Sequence, residues 1–553
     1  MSTKNRSFAL AVAAFQAGKY DDAKQYLSGC DPRQSAHLAA LVERRLGHYP
    51  HALVLIKRAL NYAPDNHEIY NNQALIFLDL GRADDAVASC EAALARQPGF
   101  SPARRTLGKA LLALRRWENA RSVFAALIAE GARDNPTQFG LASAELELGL
   151  TERALAGFER LIATGTEDSA VFFMCGRAAF EAGVHDRALS NMTRAHALAP
   201  SAMTLRELAR MHWMLGDHTA FETLVNTQFQ DASMQTVALE LLKFSGADAT
   251  VLADALRSMT PQANHYAVVA QAFVDGADAE AALTHADQAL AIESDHAAAQ
   301  AARISAHLML GQTDEALAQT RRMQQLEPNA QHWIAYEATG LRLVGDPAYT
   351  QLVDVQHHVQ TYSLPVPEGY RNIDDFNTAL RDALEQLHTH SRRPIDQSLR
   401  HGTQTARDLT GVPNAVVKAY LNALDEPIRR YLAHVGHHDG HPLTGRNTGQ
   451  YDFNGCWSVK LVAGGHHVNH IHPEGWISSA YYVSVPASSD EDRSGWIKFS
   501  EPPFMTNPML EPERWIQPKA GLLVLFPSYL WHGTAPIQAD GLRLTAPFDV
   551  VPR

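Results

Sequence analysis

The chain is 553 residues long, enough for two or more domains with cores of their own. Its 46% hydrophobic and 20% charged residues are ordinary for a soluble globular protein, and a net charge of −12 argues against a general phosphate-binding surface, so nucleic acid is not an expected partner. Cys30, Cys90, Cys175 and Cys456 lie far apart with no CxxC spacing, which suggests neither a thiolate zinc site nor a disulfide framework and makes a reducing cytoplasm the expected compartment; no apolar run approaches the roughly 20 residues of a membrane helix.

At the N-terminus, Lys4-Asn5-Arg6 precedes the apolar stretch Phe8 to Phe15, the outline of a leader peptide. The segment falls into register with the helical repeats that follow it and is read as helix. Those repeats have a period of 34: Ala52, Ala86, Ala120, Ala154 and Ala188 recur at that step, as do Gly47, Gly81, Gly149 and Gly183, with Arg115 in the one missing slot. Pro64, Pro98 and Pro200 close three of the units. The pattern predicts antiparallel helix pairs. Glycine allows the tight turn, a small alanine lets the second helix approach the first, and proline blocks continuation into the next unit. Cys90, Phe124, Phe158 and Met192 share one repeat position and are read as core, so Cys90 is not a candidate nucleophile.

Asn72-Gln73-Ala74 through Gly81-Arg82-Ala83-Asp84-Asp85-Ala86 and on to Pro98 resembles the tetratricopeptide repeat family, as do units centred on Gly18, Gly216, Gly276 and Gly311. The likeness is degenerate from about 220 to 262 and recovers as far as about 330. It implies an all-α superhelix over 1–345 whose groove binds a protein or peptide.

The Pro- and Gly-rich stretch Leu364 to Gly369 marks a boundary, and 346–370 is read as a linker. Helices are expected over about 373–389 and 414–434, with a polar, irregular segment at 397–405 between them. Beyond His441 strands are expected over 457–462, 477–485, 496–499, 521–526 and 542–550. Helices followed by antiparallel strands predict a β-sandwich or jelly roll with helical support over 371–553.

The chemistry concentrates in Gly464 to Pro486. His470 and His472 are one residue apart, and an extended segment projects both to one side, where a single metal ion could accept them. His532, at the end of the buried-strand pattern Leu522 to Pro527, offers a third imidazole, and three neutral imidazoles can hold one face of Fe(II). By the same alternation His466 faces with the pair and His467 away from it. A second group, His434, His437, His438 and His441, lacks a flanking apolar strand and is read as solvated. Arg543 and Thr545 share one face of the last strand, where a guanidinium and a hydroxyl suit an anionic cosubstrate.

From about 394 onward the sequence resembles the Fe(II)/2-oxoglutarate-dependent oxygenases, on His470-Ile471-His472-Pro473 through Tyr482-Val483 and on Phe526-Pro527-Ser528 through Trp531-His532-Gly533. The resemblance implies a double-stranded β-helix, with His470, His472 and His532 as iron ligands. It implies that Arg543, assisted by Thr545, Tyr482 and Ser478, holds the distal carboxylate of 2-oxoglutarate. The wider superfamily has a carboxylate where His472 stands, and Asp549 and Glu474 are nearby acidic residues. The reading is a cytoplasmic dioxygenase that hydroxylates a protein or peptide recruited by the repeats. Its alternatives are a cupin-like three-histidine dioxygenase working without 2-oxoglutarate, which leaves Arg543 without a task, and a non-catalytic repeat scaffold.

Overall fold

A computed structural model describes residues 3–486, 493–538 and 541–553. The chain divides into two compact units, Met1–Ala178 and Ala179–Arg553.

The first unit is built of paired helices, among them Tyr49–Tyr62, His67–Asp79, Ala83–Arg96, Ser101–Ala113, Trp117–Ala129 and Asn135–Glu147. Asp31, Asn66 and Asp134 accept backbone N–H groups that open three of its helices, donors that would otherwise lack a partner. The repeating alanines Ala52, Ala86, Ala120 and Ala154 are fully buried where helices meet. Gly47, Gly81 and Gly149 turn the chain at φ of 80°, 72° and 74°, a left-handed conformation that costs any residue with a Cβ. Arg115 adopts it too, at φ 56°, so the geometry of the turn is kept where the glycine is missing. Phe124 explains a second constraint. A Cβ on Gly108 or Gly140 would come within 2.5 Å or 2.4 Å of its ring, so these two glycines make the space in which it packs. Cys90 is likewise buried, and burial pushes its thiol up to about 12, in keeping with a packing role.

The second unit continues the helix pairs from His185–Leu198 to Gln331–Val344. Over 220–262, where the repeat pattern fades, the chain still forms helices, Gln235–Ser245 and the shorter Ala249–Leu256, joined at Gly246. At the following turn the left-handed residue is Ala277, one position beyond Gly276.

Eleven strands follow among the described residues: β1 Gln360–Ser363, β2 Leu399–Gln404, β3 Tyr451–Cys456, β4 Val459–His467, β5 Ile477–Ser484, β6 Ile497–Phe499, β7 Arg514–Ile516, β8 Leu522–Pro527, β9 His532–Thr534, β10 Arg543–Thr545 and β11 Phe548–Pro552. All pairings are antiparallel. One sheet runs β1-β8-β5-β10-β4-β2 with β11 joined to β5 and β3, and a smaller sheet runs β7-β6-β9. Their apolar faces share a core with Phe376, Tyr420 and Tyr431 from the supporting helices, and Trp476, Tyr481 and Phe526 from the strands and their approaches.

Four expectations need correction. The stretch 346–370 contains two short helices and β1, which pairs with β8, and the polar segment 397–405 holds β2, which pairs with β4. Edge strands of this kind carry few large apolar residues and leave little period-2 signal. The helix expected over 414–434 is two helices, Ala415–Ala423 and Asp425–Val435, because Pro427 sits in the first turn of the second. The last strand is likewise divided at Ala546-Pro547 into β10 and β11. No helix among the described residues is long and apolar enough to cross a membrane, and the four cysteines are free.

Candidate metal centre

His532 opens β9, at the end of a tight turn that leaves β8 through Pro527-Ser528. His470 lies across from it in an isolated antiparallel bridge: His470 N–H donates to His532 O at 2.9 Å, and His532 N–H to His470 O at 3.0 Å. His472 follows in the turn toward Trp476. One side-chain nitrogen from each of the three histidines lies within 4.8 Å of the other two, with His470 Nε2 3.3 Å from His472 Nε2.

The other nitrogen of each ring sets its tautomer. His470 Nδ1 is 2.8 Å from Val468 O, His532 Nδ1 is 3.0 Å from Leu530 O, and His472 Nδ1 is 2.7 Å from both oxygens of Asp549. Carbonyl and carboxylate oxygens only accept, so each Nδ1 carries a proton, and Nε2 is the atom each ring, when neutral, can turn to a metal. Burial, then the neighbouring His472, pushes His470 down to about 3; burial, then His470 and His472, hold His532 well below its ordinary value. Three convergent imidazoles, each oriented by an acceptor behind it, are an arrangement that suits a divalent transition metal.

All three histidines line a cavity of about 1060 Å³, and so do Arg543, Thr545 and Tyr482. Arg543 is 2% exposed. Among the described residues it donates one bond, to Gly495 O at 2.8 Å, and its Nε meets no hydrogen-bond partner. A buried guanidinium with donors unspent is costly unless an anion meets it, so the cavity is suited to a carboxylate at this end. Thr545 stands opposite Tyr482 in the β10–β5 pair. Ser478 is not part of this wall: its hydroxyl is 2.8 Å from Ser528 Oγ, both fully buried.

The remaining histidines fall differently from the alternation rule. His467 lines the cavity, with its ring stacked 5.7 Å from that of His470, while His466 turns its Nδ1 to its own loop at Gly464 O and does not line it. The rule fails because β4 ends at His467 and the chain bends through Val468-Asn469 instead of running extended to His472. In the second histidine group His434, His437 and His438 are exposed, whereas His441 is half-buried with its ring 5.2 Å from that of His358. Glu474 is exposed at the cavity rim, and Asp549 stands behind His472.

One contributor was not legible as such, and a second was legible only as a nearby acid. Ser398, at the start of the polar segment, places its hydroxyl 2.9 Å from His467 Nδ1 and 3.3 Å from His470 Nε2. Asp549 had a signal: a lone carboxylate inside the apolar strand Phe548-Asp549-Val550 must have a buried partner. The far wall of the cavity comes from the repeats, at the elbow Lys243 to Ala249 and the end of the helix Ala263–Asp275.

Residues 455–549 match the family model described as "Putative 2OG-Fe(II) oxygenase", and residues 37–99 and 77–138 match tetratricopeptide repeat models. Among curated proteins, the TPR repeat-containing thioredoxin TTL4 of Arabidopsis thaliana is 31% identical over 104 residues, 19% of this chain; the chain spans about 15% of that relative's length. Among solved structures, the type IV pilus biogenesis factor PilW is 20% identical with a TM-score of 0.34, over 36% of this chain and 93% of its own. The pilF protein of Pseudomonas aeruginosa is 15% identical with a TM-score of 0.32, over 36% and 91%.

Proposed function

Starting from a chain that carries tetratricopeptide repeats and a C-terminal 2OG-Fe(II) oxygenase domain, we propose that it is a 2-oxoglutarate-dependent dioxygenase that hydroxylates a protein or peptide. The observation that carries this reading is the meeting, in one cavity, of three histidines with converging ring nitrogens and a buried arginine whose Nε has no partner among the described residues.

In this reading His470, His472 and His532 hold Fe(II), and the two antiparallel sheets form a double-stranded β-helix around it. Asp549 keeps the His472 proton on Nδ1, and in that position its charge compensates for the carboxylate that His472 replaces. Arg543 receives the distal carboxylate of 2-oxoglutarate, with Thr545 and Tyr482 beside it. Fe(II), when bound with 2-oxoglutarate and dioxygen, supplies the oxidation of a C–H bond as 2-oxoglutarate becomes succinate and carbon dioxide. The apolar shell of Phe526, Ile497 and Tyr482 keeps bulk water from that reaction.

A macromolecular substrate is supported by the size of the cavity, far more than one five-carbon diacid fills, and by the repeat elbow that walls it. We take the division to be repeats over 1–345 and the oxygenase over 371–553, joined through 346–370, whose strand β1 adds an edge to the larger sheet, in a reducing compartment such as the cytoplasm.

The test is anaerobic Fe(II) binding followed by oxygen-dependent succinate release from 2-oxoglutarate. Wild type should release succinate, and His532→Ala and Arg543→Ala should not. Equal release from all three sinks the reading. Oxygen consumption without 2-oxoglutarate would favour the cupin-like chemistry, against which the unspent donors of Arg543 speak.

A further inference from the structure

We infer that the last repeat helix, Gln331–Val344, is part of the metal-site scaffold: Thr339, through Trp531, is a positioning residue for His532 and His470. The inference rests on the proposed metal site. It assigns that site a dependence on the repeats that a self-contained oxygenase would not have.

Trp531 immediately precedes His532, yet its side chain belongs to the repeat core. It is 8% exposed, packs edge-on against Tyr336 at 5.9 Å, and shares a cluster with Trp333, Ile304 and Leu308. Its indole Nε1–H donates to Thr339 Oγ1 at 3.0 Å, and the Thr339 hydroxyl donates in turn to Ala335 O at 2.8 Å. Both partners are therefore spent, and the rotation and depth of the indole are set by one buried hydroxyl on the repeat helix.

The main chain beside it is held from the same helix. Arg342 donates to Ser500 O at 2.8 Å, and Ser500 N–H donates to Trp531 O at 2.8 Å. From Trp531 the constraint passes to two ligands at once, because His532 and His470 exchange both backbone hydrogen bonds in their bridge. Metal bonds tolerate displacements of only about 0.2 Å, so an indole free to shift would spoil two of three donors. Linkage runs both ways: a metal that binds only the ordered arrangement also stabilises the packing of Trp531 on the repeat helix.

The experiment uses the full chain and Co(II) as probe, with affinity and the visible absorption of the bound ion as readouts and far-UV circular dichroism as the check on folding. Thr339→Val should weaken Co(II) about tenfold and alter its spectrum, and Thr339→Ser, which restores the hydroxyl, should return both toward wild type. Thr320→Val is the control: it removes another buried hydroxyl, bonded to Ala316 O at 2.8 Å in the preceding helix, and should leave Co(II) binding unchanged. The inference is overturned if Thr339→Val binds Co(II) like wild type, or if Thr320→Val weakens it equally. Should Thr339→Val not fold, Trp531→Phe decides the matter by the same readouts, and wild-type affinity there overturns it. Failure of the underlying metal site would look different, with wild type and His532→Ala binding Co(II) alike.

Discussion

His472 Nδ1 lies 2.7 Å from each carboxylate oxygen of Asp549, so the ring has an acid directly behind it. We expect Asp549→Ala to lower metal affinity between about tenfold and a hundredfold, the usual effect of removing an outer partner of a ligating histidine. Asp549→Asn, which can still accept through its amide oxygen, should fall between. Isothermal titration of Fe(II) under nitrogen reads both, and an unchanged affinity in Asp549→Ala would remove Asp549 from the site.

In the proposed function Arg543 serves the cosubstrate and not the metal. Truncating one partner of a buried charged pair costs about 2–5 kcal/mol, so Arg543→Met should raise KM for 2-oxoglutarate at least about 30-fold. Arg543→Lys keeps the charge but loses the planar fork, and should recover only part of it. Metal affinity should be wild type in both. A parallel loss of metal would mean that the substitution disturbs the fold of β10.

Acid should destabilise the second unit. Burial pushes His388 down to about 3, and His358 and His390 down to about 4; His390 and Lys460 lower His388 further, Arg210 lowers His390 against a bond to Gln404 O that raises it, and the histidines around it lower His358. A depressed value means that the unfolded chain takes up the proton first. Stability is therefore full above about pH 6.5 and falls as pH drops toward 4, by up to about 1.4 kcal/mol per pH unit for each group. Chemical denaturation between pH 7 and pH 4.5 measures the slope. Asparagine at His388, which cannot ionise, should flatten it.

Arg115 holds a left-handed turn that glycine takes at the same position of other repeats. Arg115→Gly should stabilise the first unit by about 1 kcal/mol, since the penalty of the Cβ exceeds the entropy that glycine adds to the unfolded chain. Gly140→Ala should act oppositely, by roughly 1–3 kcal/mol, because its new methyl meets the ring of Phe124. Thermal melts of the two variants test the pair, and the same sign for both would refute the account.

The contrast between these two glycine positions shows what kind of information the chain displays along its length. The turn glycines recur at 34 residues and announce helix pairs, and the missing one at Arg115 is visible as a gap. Gly108 and Gly140 lie 32 residues apart and fall outside that ladder; their reason is a phenyl ring between them, which no local pattern records. Likewise His470, His472 and His532 stand out by spacing and by the strands beside them, whereas Ser398 does not, because its neighbour His467 is 69 residues away.

The sequence alone determined the periodic and the short-range: helix pairs from a 34-residue repeat, the change to antiparallel strands, and the His-x-His pair with a distant histidine and arginine. These follow from backbone periodicity and residue chemistry, which act over a few residues. Only the tertiary structure decided that His467 and not His466 enters the cavity, that Asp549 sets the proton of His472, and that Trp531 is anchored on Thr339. Each depends on where a strand ends or which distant surface it meets, and burial converts that placement into tautomer, charge and position.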